Sequence, residues 1–174
     1  MVIWITGISG SGKTTLANAI LKKYKKNLLN LVNVDGDVVR ELFGNLGFDK
    51  SSREEQIKRI QKLCIFLERQ GLIVIVSALY CDENLMNWNR KNFSNYYEIY
   101  LEASINLVKL RDPQGLYQKF YQGKEKNVVG LDIPFQKPQN YDLKINMDEE
   151  NIIEETVNKI TNEINVFFEK SKIL

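Results

Sequence analysis

Eight residues near the start of the chain carry its clearest chemistry. Gly7-Ile8-Ser9-Gly10-Ser11-Gly12-Lys13-Thr14 fits the spacing G-x-x-x-x-G-K-[ST], with an apolar run ending at Thr6 and a helical pattern beginning near Lys13. In that context glycines let successive backbone N–H groups turn inward around an anion, and the following helix adds partial positive charge. Gly10, Ser11, Gly12, Lys13, Thr14 and Thr15 are the expected contacts to a nucleoside triphosphate. Lys13 would reach the β and γ phosphates as a point charge, and the Thr14 hydroxyl would join a magnesium shell. With glycine at about 7% of average sequence, a chance match is on the order of one in a hundred, so a plain glycine turn with an exposed lysine is the weaker reading.

A second group lies in Val34-Asp35-Gly36-Asp37-Val38-Val39-Arg40, at the end of an expected strand beside the phosphate loop. Ligands of open α/β sheets bind at that edge. Asp35 or Asp37 could take the proton of an attacking hydroxyl or hold magnesium, and the planar fork of Arg40 suits an anionic acceptor. The bland alternative, a turn capping the next helix, explains the same residues. Histidine is absent, so any chemistry rests on carboxylates, lysine, arginine and a metal.

Short apolar runs alternate with longer helical patterns, the signature of a mostly parallel sheet covered on both faces. The expected strands are Val2 to Thr6, Leu31 to Val34, Leu72 to Ser77, Tyr97 to Leu101 and Leu143 to Ile145. Ser52-Arg53-Glu54-Glu55 fits a capping box for a helix that carries Ile57, Ile60, Cys64 and Leu67 on one face and ends at Gly71. Ile152, Ile153, Val157, Ile160, Ile164 and Phe167 form a second stripe, read as a helix packing on the sheet. Residues 112–138 hold all three prolines and no clear period, which predicts a functional lid within a single domain spanning 1–174.

The 24 basic and 22 acidic side chains leave a net charge of +2, which gives no general field for nucleic acid or an anionic membrane. No apolar run reaches the length of about 18 residues that a membrane span needs. Two cysteines, Cys64 and Cys81, form no disulfide framework, so a reduced, cytoplasmic setting is expected. The chain lacks the Asn-Lys-x-Asp of guanine-nucleotide readers, which leaves an ATP-dependent small-molecule kinase as the leading reading. A non-catalytic ATP-gated binding module is the alternative, but it would have no need of Asp35, Asp37, Arg40 and Arg53.

Asp35-Gly36-Asp37-x-x-Arg40, Leu46-Gly47-Phe48, Arg53-x-Glu55-x-Ile57-x-Arg59, Gly71-Leu72-Ile73-Val74-x-Val76-Ser77 and Arg111-Asp112-Pro113-x-Gly115-Leu116-Tyr117 together resemble the adenylylsulfate kinase family. The resemblance implies a P-loop kinase fold, with ATP and magnesium used to phosphorylate the 3′-hydroxyl of a small nucleotide acceptor, and it makes a homodimer possible. By position, Lys13 and Asp35 would be catalytic, Thr14 and Asp35 would hold the metal, and Arg111 would close over ATP. Asp37, Arg40, Phe48, Arg53, Gln56, Ser77, Ala78, Leu79, Lys126 and Leu131 would surround the acceptor. Within that set, the arginines would hold its anionic tail and Phe48 would cover one face of its base.

The departures gather at the acceptor. Ser77-Ala78-Leu79-Tyr80-Cys81 replaces the family's Ser-Phe-Ile-Ser-Pro, Gln56 replaces an asparagine, and Val128 stands where a lid phenylalanine completes a purine sandwich. Ala78, Tyr80 and Val128 are thus expected to reshape the pocket wall. The pattern resembles a divergent branch of the family, found in bacterial capsule pathways, that acts on cytidine diphosphoramidate; adenylylsulfate remains the alternative acceptor.

Overall fold

The computed structural model describes residues 1–44, 46–80 and 82–149, together with Glu155, Val157, Asn158 and Ile160. Five strands, β1 (Val2–Thr6), β2 (Leu31–Asp35), β3 (Ile73–Ser77), β4 (Tyr96–Glu102) and β5 (Leu143–Asn146), form one sheet in the order β2-β3-β1-β4-β5. All neighbours run parallel, as expected of strands joined through helices. The sheet is therefore the α/β arrangement of a P-loop fold.

Alternation along β1 explains the two layers. Ile3 and Ile5 pack with Leu16, Ala17 and Ile20 of α1 (Lys13–Tyr24) on one side. Val2 and Trp4 face the opposite side, against Ile57, Ile60 and Cys64 of α3 (Lys50–Arg69) and Met86 of α4 (Glu83–Asn92). Every residue of β1 is buried, as in a central strand covered on both faces. The remaining helices, α2 (Gly36–Leu42), α5 (Ile105–Arg111) and α6 (Leu116–Tyr121), line the carboxyl edge of the sheet. Val157 and Ile160 of the last apolar stripe pack on the α1 side, while Ile152, Ile153, Ile164 and Phe167 lie outside the described residues, as does Cys81.

Three expectations need correction. The capping box at Ser52 is displaced: α3 begins one turn earlier, and Asp49 is its cap, accepting from Ser52 N at 3.0 Å. The Ser51 and Ser52 hydroxyls both donate to Asp49 at 2.6 Å, and these bonds hold its carboxyl well below the usual range. A negative charge there also meets the positive end of the helix, so aspartate outcompetes serine as the cap. Leu72 belongs to the helix end and not to β3, because its N–H donates to Leu67 O at 3.2 Å. The stretch 112–138 is not without period: α6 lies inside it, and the Asp112 carboxylate accepts from Tyr117 N at 3.2 Å and Gln118 N at 2.9 Å.

Candidate active site

The turn from β1 into α1 needs glycine for a specific reason. A Cβ on Gly7 would stand 2.6 Å from Leu101 O and 2.7 Å from Ser11 Oγ, and Gly12, at φ +100°, caps α1 in the left-handed region. Gly12 supplies no side-chain cap and no acidic residue occupies the first turn, so the first N–H groups of α1 are left to an anion. The Lys13 ammonium donates to Ile8 O at 2.9 Å. Desolvation in the cleft pulls its pKa down to about 8, against the opposing charges of Asp37 and Asp35.

Asp35 ends β2 opposite Ser77, the last residue of β3, and this register brings their side chains together. Asp35 Oδ2 accepts from Ser77 Oγ at 2.6 Å and from Thr14 Oγ1 at 2.8 Å, while Oδ1 accepts from Asp37 N at 2.9 Å and caps α2. Burial alone would raise its pKa, but these hydrogen bonds outweigh it and leave the carboxyl below its ordinary value. The turn-capping reading of Asp-Gly-Asp therefore holds for Asp35, together with its contact to the phosphate loop.

Across the cleft, Arg40 donates to Gly47 O at 2.6 Å and lies 4.6 Å over the Phe48 ring. Arg53 donates to Phe48 O at 2.7 Å and to Asn127 O at 2.6 Å, so it ties the loop before α3 to residues 112–138. Desolvation and the neighbouring Arg53 charge both lower the Arg40 pKa, as expected where two cations share one site. Asp37 receives a longer hydrogen bond, 3.5 Å, from Gln114.

These groups surround a cleft of about 1290 Å³. A volume above the usual range for one small ligand leaves room for a donor and an acceptor together. Gly10, Gly12, Lys13, Thr14, Thr15, Asp35, Asp37, Arg40, Phe48, Arg53, Gln56, Ser77, Ala78, Leu79, Arg111 and Lys126 all line it. Ser11 is fully buried away from it, and Leu131 packs instead on the cluster of Ile8, Val108, Tyr117, Val128 and Val129. Tyr80 is not part of the wall. Its ring lies 5.2 Å from that of Trp4 in the core, and its hydroxyl meets that of Tyr96 at 3.3 Å. Val128 does line the cleft.

Sequence reasoning gave no role to Tyr117, whose hydroxyl donates to Ser9 O at 2.9 Å and fastens α6 to the phosphate loop. It also passed over Gln114 and Asn127. Tyr117 stood inside a recognisable motif, but nothing in its residue type marks a phosphate-loop contact.

The adenylylsulphate kinase family profile matches residues 1–146. The chain belongs to the adenylylsulphate kinase family. It is 41% identical over 159 residues to a cytidine diphosphoramidate kinase of Campylobacter jejuni, covering 91% of this chain and 93% of that one. It is 37% identical over 161 residues to an adenylyl-sulfate kinase of Rippkaea orientalis, covering 92% and 88%. The Mycobacterium tuberculosis APS kinase CysC, solved with AMPPNP and APS, superposes with a TM-score of 0.85 at 29% identity, covering 94% of this chain and 96% of that one. Membership of this family makes the chain an ATP-dependent kinase built on the P-loop fold.

Proposed function

We propose that this kinase transfers the γ-phosphoryl group of ATP to the 3′-hydroxyl of a nucleoside 5′-phosphate anhydride, with cytidine diphosphoramidate as its preferred acceptor. The observation that carries the choice is the aromatic content of the cleft. Phe48 and Tyr117 are its aromatic residues among those described, and Tyr117 is buried with its hydroxyl on Ser9 O. Phe48 is then the one ring left to stack on a base, on a face that Arg40 and Arg53 do not cover, which suits a pyrimidine better than a purine held between two rings. The higher identity to the diphosphoramidate kinase supports this reading. A role in phosphoramidate decoration of capsular sugars is part of the same proposal.

In the proposed reaction the 3′-hydroxyl oxygen bonds to the γ-phosphorus as the β–γ bridging P–O bond breaks and ADP leaves. The hydroxyl proton passes to Asp35 or Asp37 and then to water. Lys13 and the α1 N–H groups stabilise charge on the migrating group. Thr14 and Asp35 fit magnesium: the hydroxyl spends its proton on the carboxylate at 2.8 Å, so its lone pairs can face a cation. No group of three acidic, cysteine or histidine side chains placed to hold a metal ion occurs among the described residues, so the ion's other ligands would have to be phosphates and water. Bound there, magnesium would neutralise charge on the β and γ phosphate oxygens. Residues 112–138 act as the lid in this reading.

Steady-state kinetics at saturating ATP and magnesium test the acceptor. The expected kcat/KM for cytidine diphosphoramidate is at least about tenfold above that for adenylylsulfate, a difference of only about 1.4 kcal/mol in transition-state binding. Equal or better use of adenylylsulfate would return the enzyme to sulfate activation.

A further inference from the structure

Gln56 lines the cleft from α3 with only 3% of its surface exposed. Its Nε2 donates to Gly36 O at 3.2 Å. That contact fixes the amide's orientation, because a backbone carbonyl only accepts and the flipped amide would set two acceptors against each other. The other end, Oε1, is buried and has no hydrogen-bond partner among the described residues. Native folds seldom leave a buried polar atom unpaired. An apolar side chain of the same length would fill this space without that cost, so the oxygen points to a donor that arrives with a ligand.

The position of Gln56 indicates which part of the ligand. It lies three residues after Arg53 on α3, a spacing that puts both side chains on one helix face. Arg53 and Arg40 are the cations proposed to hold the acceptor's anionic tail. Gly36, which Gln56 grips, lies between the two carboxylates proposed to serve the hydroxyl. A donor next to the tail is therefore an N–H on the terminal group.

We infer that Gln56 selects the acceptor by accepting, through Oε1, a hydrogen bond from a terminal P–NH₂ nitrogen. This rests on the acceptor class proposed above. A phosphoramidate end offers N–H donors beside its anionic oxygens. An ionised sulfate or phosphate end offers only lone pairs, which would face those of Oε1. The same oxygen thus favours the amidate and penalises its isosteres, so selectivity comes from both sides of the comparison.

Cytidine diphosphate differs from cytidine diphosphoramidate only at that terminal group, which makes the pair a direct probe. With AMPPNP bound, calorimetry on the wild-type enzyme should give a Kd for the diphosphoramidate at least about tenfold below that for cytidine diphosphate. Charge alone predicts the reverse, since the diphosphate carries the more negative tail toward two arginines. In Gln56→Met that preference should vanish or invert, and the kcat/KM preference over adenylylsulfate should fall at least about tenfold, mainly through KM. Equal wild-type affinities for the two cytidine nucleotides would overturn the inference without needing a folded variant. So would a Gln56→Met enzyme that loses affinity for both equally, the result expected if Oε1 met the base amine or only packed. The proposed function is judged separately, by whether the wild-type enzyme prefers cytidine diphosphoramidate to adenylylsulfate.

Discussion

Asp35 has both carboxylate oxygens engaged within the fold, by Ser77 and Thr14 on one and by the Asp37 N–H on the other. Its lowered pKa makes it a weak proton acceptor, so as the base it would take the hydroxyl proton only late in transfer, while it orients the hydroxyl and holds the cation. Phosphoryl transfer tolerates that, because little proton transfer is needed before a loose transition state. Asp35→Asn keeps an oxygen to cap α2, so folding should change little while the charge is lost. Turnover is expected to fall at least about a hundredfold with ATP affinity largely kept, measured by single-turnover kinetics and nucleotide titration. If only acceptor affinity suffered and turnover survived, Asp35 would be a binding residue and the base would be sought at Asp37.

Among the elements, the segment 112–138 touches both halves of the site, which is why it is proposed as the lid. On the donor side Tyr117 holds Ser9 O; on the acceptor side Asn127 O receives Arg53. Asp132 stiffens the contact region by accepting from Asn127 N and Val128 N, and Asn127 takes a left-handed φ of 60°, which asparagine tolerates well. Tyr117→Phe would remove one hydrogen bond and keep the buried ring. One such bond is worth about 0.5–1.5 kcal/mol, so AMPPNP affinity by calorimetry should fall roughly three- to tenfold. Unchanged affinity would mean that α6 does not set the phosphate loop. Much of this architecture was legible in the sequence. Period and glycine spacing located all five strands and the phosphate loop, because local sterics dictate both. The α3 cap was misplaced because Asp49 and Ser52 are both good caps, and only the folded hydrogen bonds choose between them. The inward turn of Tyr80 was hidden for a related reason: its partners, Trp4 and Tyr96, are remote in sequence.

For the molecule as a whole, Tyr80 and Tyr96 belong to a buried polar network on the α3 and α4 side of the sheet. Glu98 on β4 is fully buried; Tyr96 donates to its Oε2 at 2.7 Å, and Arg90, 3.7 Å away, also bridges to Asp142. Asn89 donates to the Tyr96 hydroxyl and receives Gln61 from α3, so three elements meet around one carboxyl. Burial raises the Glu98 pKa, and the bonds from Tyr96 and the charge of Arg90 only partly oppose it. The sign follows from linkage. Between the ordinary glutamate value of 4.5 and the raised folded value, the native state binds more proton than the unfolded chain, so this group's contribution to stability falls as pH rises through that window. The depressed carboxyl of Asp35 acts in the opposite sense, but only below the ordinary aspartate value of 3.8. Glu98→Gln removes the titration and keeps an oxygen for Tyr96. In urea unfolding at a series of pH values from 7 down to about 4.5, wild type should gain stability relative to Glu98→Gln as pH falls, by no more than about 1.4 kcal/mol per pH unit, the limit for one proton. A difference that stayed flat across that range would show that Arg90 and Tyr96 offset the burial fully, leaving Glu98 charged at no cost.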